Sequence, residues 1–322
     1  MGTQKHKRPA TDDRIAPEQG VTKDGQPLSY NRSACPELQP WIARIYVAKV
    51  EMPVGYRLHC GLFNDTACIR VQLSGNWEAE TADGHMKHDK AALFFGPQTR
   101  RMPLSVEGSF VSLGISLRPG ACNALNGPQV DKIVDRIISA ERMVDPNRNV
   151  SDMFDPEATS EEWAKTLEDL VRIRVDRVNG KEPDPVSHRF EQISFTDPTT
   201  TIAECAEICG VERRTLERIV KRDFGLSPKQ VLRRARALDM ASHLRGVADG
   251  EEANELALRF YDESHLIREF TDLYGMSPRQ FVDSPQPIMT LTLESRQARR
   301  LEAIKRIAPG EPPPWKPRKA KP

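Results

Sequence analysis

The chain has 322 residues, with 47 Lys and Arg against 46 Asp and Glu and a formal net charge of +1. That length has room for two domains, and the near-neutral balance by itself demands no nucleic acid, membrane or acidic partner. No run of 18 apolar residues reads as a bilayer span. The opening MGTQKHKRPATDDR lacks the apolar centre of a signal peptide. Six cysteines without a tight framework read as reduced thiols, which places the chain in a cytoplasm.

Residues 1–37 are polar and Pro/Gly-bearing, and read as a disordered tail. Short alternating runs fill 38–128: RIYVAKVEM, YRLHCGLF, CIRVQLSGNWEAE, AALFFGP, SFVSLGISLRPG. Val71 and Leu73, then Val111, Leu113, Ile115 and Leu117, repeat at period two between Gly and Pro breaks. The expectation is an all-β sensor domain, sandwich or small barrel, with an interior suited to a small ligand. Residues 129–185 turn to helical spacing in VDKIVDRIISAE and EEWAKTLEDLVRIRVDRV, a helical connector ending in the joint NGKEPDPVS. Its stripe of Leu167, Leu170 and Val171, with Ile173 and Val175 nearby, is a candidate homodimer contact or packs on its own β-domain. A helical domain occupies 186–284, and 285–322, ending PGEPPPWKPRKAKP, reads as a flexible basic tail.

Within the helical domain one phrase is written twice: GLSPKQV from Gly225 and GMSPRQF from Gly275. Each copy holds a Gly that can close a helix in the left-handed conformation, a Ser N-cap, a Pro for the first turn, and a Gln at capping-box spacing. Leu216 matches Leu266, Arg218 matches Arg268 and Phe224 matches Tyr274 upstream. In the helix ERRTLERIVKRDF, Leu216, Ile219, Val220 and Phe224 share one face, while Arg214, Arg218, Lys221 and Arg222 lie opposite. TIAECAEICG precedes it, with Ala206 and Gly210 spaced for a sharp turn, so the pair reads as a helix-turn-helix. A charged helix face is usually just solvated, but solvation gives no reason for two copies.

The stretches TIAECAEICGVERRTLERIVKRDFGLSPKQVLRRARALDMASHLR and LALRFYDESHLIREFTDLYGMSPRQF resemble the double helix-turn-helix domain of the AraC/XylS family of bacterial transcription regulators. FFGPQTRRMPLSVEGSFVSLGISLRPGACNAL resembles the β-rich, cupin-like N-terminal domain of one branch of that family. The resemblance implies an α+β chain: a cupin-like β-sandwich or barrel, a helical connector, and an all-α domain with two helix-turn-helix modules joined by a long helix at about Pro228 to Leu244. It implies double-stranded DNA as partner, RNA polymerase as a second, and modulation by a small-molecule effector or by dimerisation. One departure stands in the second module, where the usual turn glycine is Arg259.

On this reading Arg214, Glu217 and Arg218, with His265 and Arg268 in the second module, are candidates for base contact. Arg213, Lys221, Arg222, Arg233, Arg234 and Arg279 are candidates for phosphate contact. At matched positions Arg213 becomes Glu263, Arg214 becomes Ser264, Lys221 becomes Thr271 and Arg222 becomes Asp272, so the first module is expected to supply most of the affinity. The other function class is a cupin-like small-molecule-binding or metal-dependent enzyme. His59, His85 and His88 fall in the β region, but no His-x-His with a following Glu completes a ligand set. His85 and His88 are expected in a solvated loop, and Cys205 and Cys209, four apart, as small core residues. No cofactor, metal or catalytic residue is expected.

Overall fold

The computed structural model describes residues 9–17, 30–248 and 263–304. Among these, nine strands form one antiparallel sheet: β1 (Ala16–Pro17), β2 (Tyr30–Arg32), β3 (Ile42–Glu51), β4 (Arg57–Leu62), β5 (Cys68–Thr81), β6 (Gly84–His88), β7 (Ala91–Phe95), β8 (Met102–Leu117) and β9 (Ile137–Ser139). The main path runs β1-β3-β8-β5-β7-β9, with β2 on β3, β4 on β8 and β6 on β5. The long strands β5 and β8 pair from Cys68↔Ser116 to Ala79↔Leu104, and each then carries different neighbours on its two halves. Register shifts flank Ser74, next to Gly75 at φ +94°, so β5 bends there. Bulges of this kind bend a strand and increase its twist. The result is the β-domain the alternation predicted.

The two faces of the sheet bury different things. Ile45, Val47, Ile69, Val71, Leu113 and Ile115 face α1 (Ala121–Ala124) and α2 (Ser160–Arg177). Trp77, Phe110, Leu58 and Cys60 share a core with the C-terminal helices. Those helices are α3 (Pro185–Thr196), α4 (Ile202–Cys209), α5 (Arg213–Phe224), α6 (Pro228–Leu244), α7 (Glu263–Tyr274), α8 (Pro278–Asp283) and α9 (Pro287–Ala303). No helix among the described residues is long and apolar enough to cross a membrane.

Three expectations are corrected, and one with two alternatives is decided. The N-terminal segment is ordered where described: Ala10 N donates to Val282 O at 2.8 Å, and β2 pairs with β3. VDKIVDRIISAE keeps only one 3-10 turn at Val130–Lys132, because its branched Ile137 and Ile138 extend the sheet as β9 against β7, after Asp135 at φ 56°. Of the two roles expected for the stripe of Leu167, Leu170 and Val171, the structure has the second: it is buried on its own sheet. Residues 287–303 are not a flexible tail but α9, which packs against β3, β4, α3 and α6.

Candidate nucleic-acid interface

The first helix pair begins with a capping box. Thr201 N donates to Glu204 Oε2 at 2.9 Å, and Glu204 N donates back to Thr201 Oγ1 at 3.3 Å. Gly210, at φ +70°, closes α4 in the left-handed conformation, and α5 starts at Arg213. Leu216, Ile219, Val220 and Phe224 of α5 are buried with Cys205 and Cys209 of α4, and Phe224 meets Phe190 edge-on with ring centroids 5.4 Å apart. The two cysteines are therefore core residues. Gly225 (φ +73°) ends α5 and Gly275 (φ +69°) ends α7, as the repeated phrase required. Ser227 N donates to Gln230 Oε1 at 3.0 Å and Ser277 N to Gln280 Oε1 at 2.8 Å.

The face of α5 turned away from this core carries Arg213, Arg214, Arg218 and Lys221, all exposed. Arg213 Nε donates to Glu217 Oε1 at 2.9 Å, and Lys221 Nζ donates to Gly225 O at 3.1 Å. Arg214 and Arg218 have no hydrogen-bond or ion-pair partner among the described residues. On α7, Leu266, Phe270, Leu273 and Tyr274 are buried, and Phe270 stacks on Tyr274 at 4.2 Å. His265, Arg268, Thr271 and Asp272 point outward. His265 lies 4.0 Å from Glu269. Residues 249–262, and with them Arg259, lie outside the described residues.

Several basic candidates are already occupied. Arg234 is 2 % exposed and is not a phosphate contact: it donates to Gln98 O at 2.9 Å and to Asp65 O at 2.5 Å, joining α6 to the β-domain. Burial pushes its guanidinium down to about 10. Arg233 pairs with Asp272 and Glu269 of α7, so the acidic residue expected to repel phosphate is held by a cation. Arg222 is shared between Asp223 and Asp184. Arg279 is open to solvent, 3.6 Å from Asp283. Among the candidates in the described residues, Arg214 and Arg218 of α5 and Arg268 of α7 are left with no hydrogen-bond or ion-pair partner.

In the β-domain, His85 and His88 sit on β6 rather than in a loop. His85 Nδ1 is 2.7 Å from Glu80 Oε1, and His88 is packed enough that desolvation lowers its imidazole to about 4. No group of three or more His, Cys, Asp or Glu among the described residues could hold a metal.

What the sequence does not reveal is a network of buried arginines that joins α9 to the β-domain and to the other helices. Arg299 Nη2 donates to Asp65 Oδ2 at 2.6 Å, Arg296 Nη1 to Asp239 Oδ1 at 2.6 Å, and Arg300 Nε to Phe195 O at 2.8 Å. Arg44, fully buried, pairs with Glu302. Asp65 binds around three guanidiniums: burial alone would raise its carboxyl, but Arg299, Arg296 and Arg234 hold it below the usual value.

A helix closed by a left-handed glycine, a short turn, and a second helix with a cationic outer face make up the α4–α5 unit. Residues 205–284 match the family described as a helix-turn-helix domain. They form an AraC-type helix-turn-helix domain. Domains of this type are the DNA-binding parts of transcription regulators. Residues 31–139 match a domain of unknown function (DUF6597), and α9 lies beyond both matches. No curated protein sequence matches the chain. Among solved structures, ToxT from Vibrio cholerae is 10 % identical, with 74 % of this chain and 97 % of that chain covered and a TM-score of 0.43. ToxT bound to an unsaturated fatty acid is 9 % identical over 80 % and 96 %, with a TM-score of 0.42. The AraC-like transcriptional activator CuxR is 14 % identical over 66 % and 80 %, with a TM-score of 0.28. At those scores the likenesses carry no argument about site or ligand.

Proposed function

We propose that this chain is a sequence-specific DNA-binding transcription regulator that reads its site chiefly through α5. The observation that carries the reading is the pair Arg214 and Arg218, exposed on an AraC-type second helix with no protein partner among the described residues. Arginine can pair bidentately with guanine in the major groove, and a glutamate at the position of Glu217 can accept from cytosine once released from Arg213. Arg213, Lys221 and Arg279 are left to contact phosphates. Arg268, with His265, contributes fewer contacts at a second half-site. The 17 residues of α6 span about 25 Å at 1.5 Å each, which suits two helices in successive major-groove faces about 34 Å apart.

The β-domain acts as the sensor, reporting a small molecule to the helices through the Asp65 network. Selection of bound duplexes from random DNA, followed by footprinting, tests the reading: it predicts an enriched motif protected over about two helical turns. Binding without any sequence enrichment would remove it.

A further inference from the structure

Between the sheet and α9 lies a partly open cavity of about 40 Å³. Since ~10–15 Å³ is enough for one water, it holds a molecule of a few heavy atoms. Its polar lining includes Asn64, Asp65, Arg70, Ser112, Ser295 and Arg299, and its apolar lining includes Ala48, Trp77, Phe110, Ile288 and Leu291. Most of this lining comes from the β-domain, and the rest comes from α9.

Arg70 decides what fits. It is 6 % exposed, and no carboxylate pairs with it among the described residues. Asn64 Oδ1 accepts from its Nη2 at 3.2 Å, and its guanidinium carbon lies over the Phe95 and Tyr46 rings, 5.0 and 5.4 Å from their centroids. Its Nε has no acceptor. Five further atoms on the same cavity have no hydrogen-bond partner either: Tyr46 Oη, Ser112 Oγ, Ser295 Oγ, Arg299 Nε and Arg296 Nε, the last 3.4 Å from Asp65 Oδ2. Buried polar atoms are nearly always hydrogen-bonded, and an unpaired buried cation is costly. Here the orphaned atoms are all capable donors gathered around one small space. A carboxylate, an acceptor-only group with about four lone-pair sites, takes an arginine fork and reaches several of these donors at once.

We infer that this cavity is the binding site for a short-chain carboxylate, its oxygens on Arg70 and the orphaned hydroxyls and its carbon body against Trp77, Phe110 and Leu291. Arg296 and Arg299 of the same wall also grip Asp65, and Arg296 grips Asp239 of α6. An acid bound there therefore competes for, or reinforces, the contacts that hold the helix-turn-helix domain to its sensor. This regulatory consequence rests on the regulator reading above; the site itself does not.

The test is calorimetric titration of the full chain with butyrate, the neutral butyramide and inorganic phosphate. Butyrate is expected to bind, with butyramide and phosphate at least about ten-fold weaker. Arg70→Gln should lose about ten-fold in butyrate affinity and leave butyramide unchanged. Should that variant fail to fold, Ser295→Val, which fills the cavity from α9, should abolish butyrate binding. Equal binding of butyrate and butyramide, full butyrate affinity in Arg70→Gln or Ser295→Val, preference for phosphate, or no butyrate heat at about 10 mM each overturns the inference. Butyrate binding by a chain that selects no DNA motif would sink the regulator reading and leave the carboxylate site standing.

Discussion

Arg299 and Asp65 stand 234 positions apart in sequence and 2.6 Å apart in space. One lies on the last described helix and the other in the turn before β5, so their bond fastens the end of the chain onto the sensor domain. Asp65 Oδ2 also lies 3.4 Å from Arg296, and the Asp65 carbonyl accepts from Arg234. Three cations from α6 and α9 thus converge on one acidic residue.

Removing that acid leaves buried guanidiniums uncompensated. Asp65→Asn is expected to lower stability by about 3–5 kcal/mol, the usual cost of breaking one partner of a buried pair. Urea unfolding at neutral pH reads this directly. The folded-state pKa of Asp65 lies below its ordinary 3.8, so its contribution is complete above that value and fades as pH falls through the lowered one. The variant should therefore lose less stability than wild type on acidification below about pH 4. A neutral-pH loss under about 1 kcal/mol would mean that the convergence carries little energy.

His88 gives a second pH dependence, with the same direction and a different window. Burial lowers its imidazole to about 4, whereas the unfolded side chain protonates near 6.5. Between those values the unfolded state binds more protons, so stability falls as pH drops from about 6.5 to about 4. His88→Gln should flatten the slope of unfolding free energy across that window. An unchanged slope would show that the ring is protonated in the fold at no cost.

The repeated glycines provide a matched comparison. Both have positive φ, which costs an L-residue about 1–2 kcal/mol. A Cβ at Gly275 meets nothing within 4 Å, but at Gly225 it would come within 2.8 Å of Val134 Cγ2 and 3.1 Å of Val130 O. Gly225→Ala is therefore expected to lower the thermal midpoint more than Gly275→Ala does. Equal losses would indicate that the β-domain loop yields freely to the end of α5.

Arg218 and Arg268 occupy equivalent places in the two phrases, yet their surroundings differ. Arg218 shares its helix face with Arg214 and Lys221, whereas Arg268 is flanked by Thr271 and by Asp272, which Arg233 already holds. Arg218→Ala should weaken specific binding by about 1–3 kcal/mol, and Arg268→Ala by less, both with unchanged melting. A larger loss at Arg268, measured by fluorescence anisotropy on a selected site, would reverse the proposed order of the modules.

Much of this was legible because it is local. Gly225, Ser227 and Gln230 specify a helix end and the next start within six residues, and the fold places them accordingly. The alternation of Val111, Leu113 and Ile115 marks a strand in the same way. The C-terminal helix was not legible, because PIMTLTLESRQARRLEA has no apolar stripe wide enough to predict burial. Its arginines go inside only because Asp65 and Asp239 come to meet them from distant parts of the chain. Arg234 was misassigned for the same reason: on a helix it looks like any solvated cation until its acceptors, Gln98 O and Asp65 O, are brought up by the fold. Arg70 did leave a signal, standing between Ile69 and Val71 on the opposite face of β5 from both.

The most direct test is selection from random duplex DNA with wild-type protein and with Arg214→Ala/Arg218→Ala in parallel. The account predicts an enriched motif for wild type. It predicts that the double variant, folded and equally stable, loses base preference within one helical turn and keeps only weak, salt-sensitive binding. Selection of the same motif with the same strength by the double variant would contradict the placement of α5 in the groove.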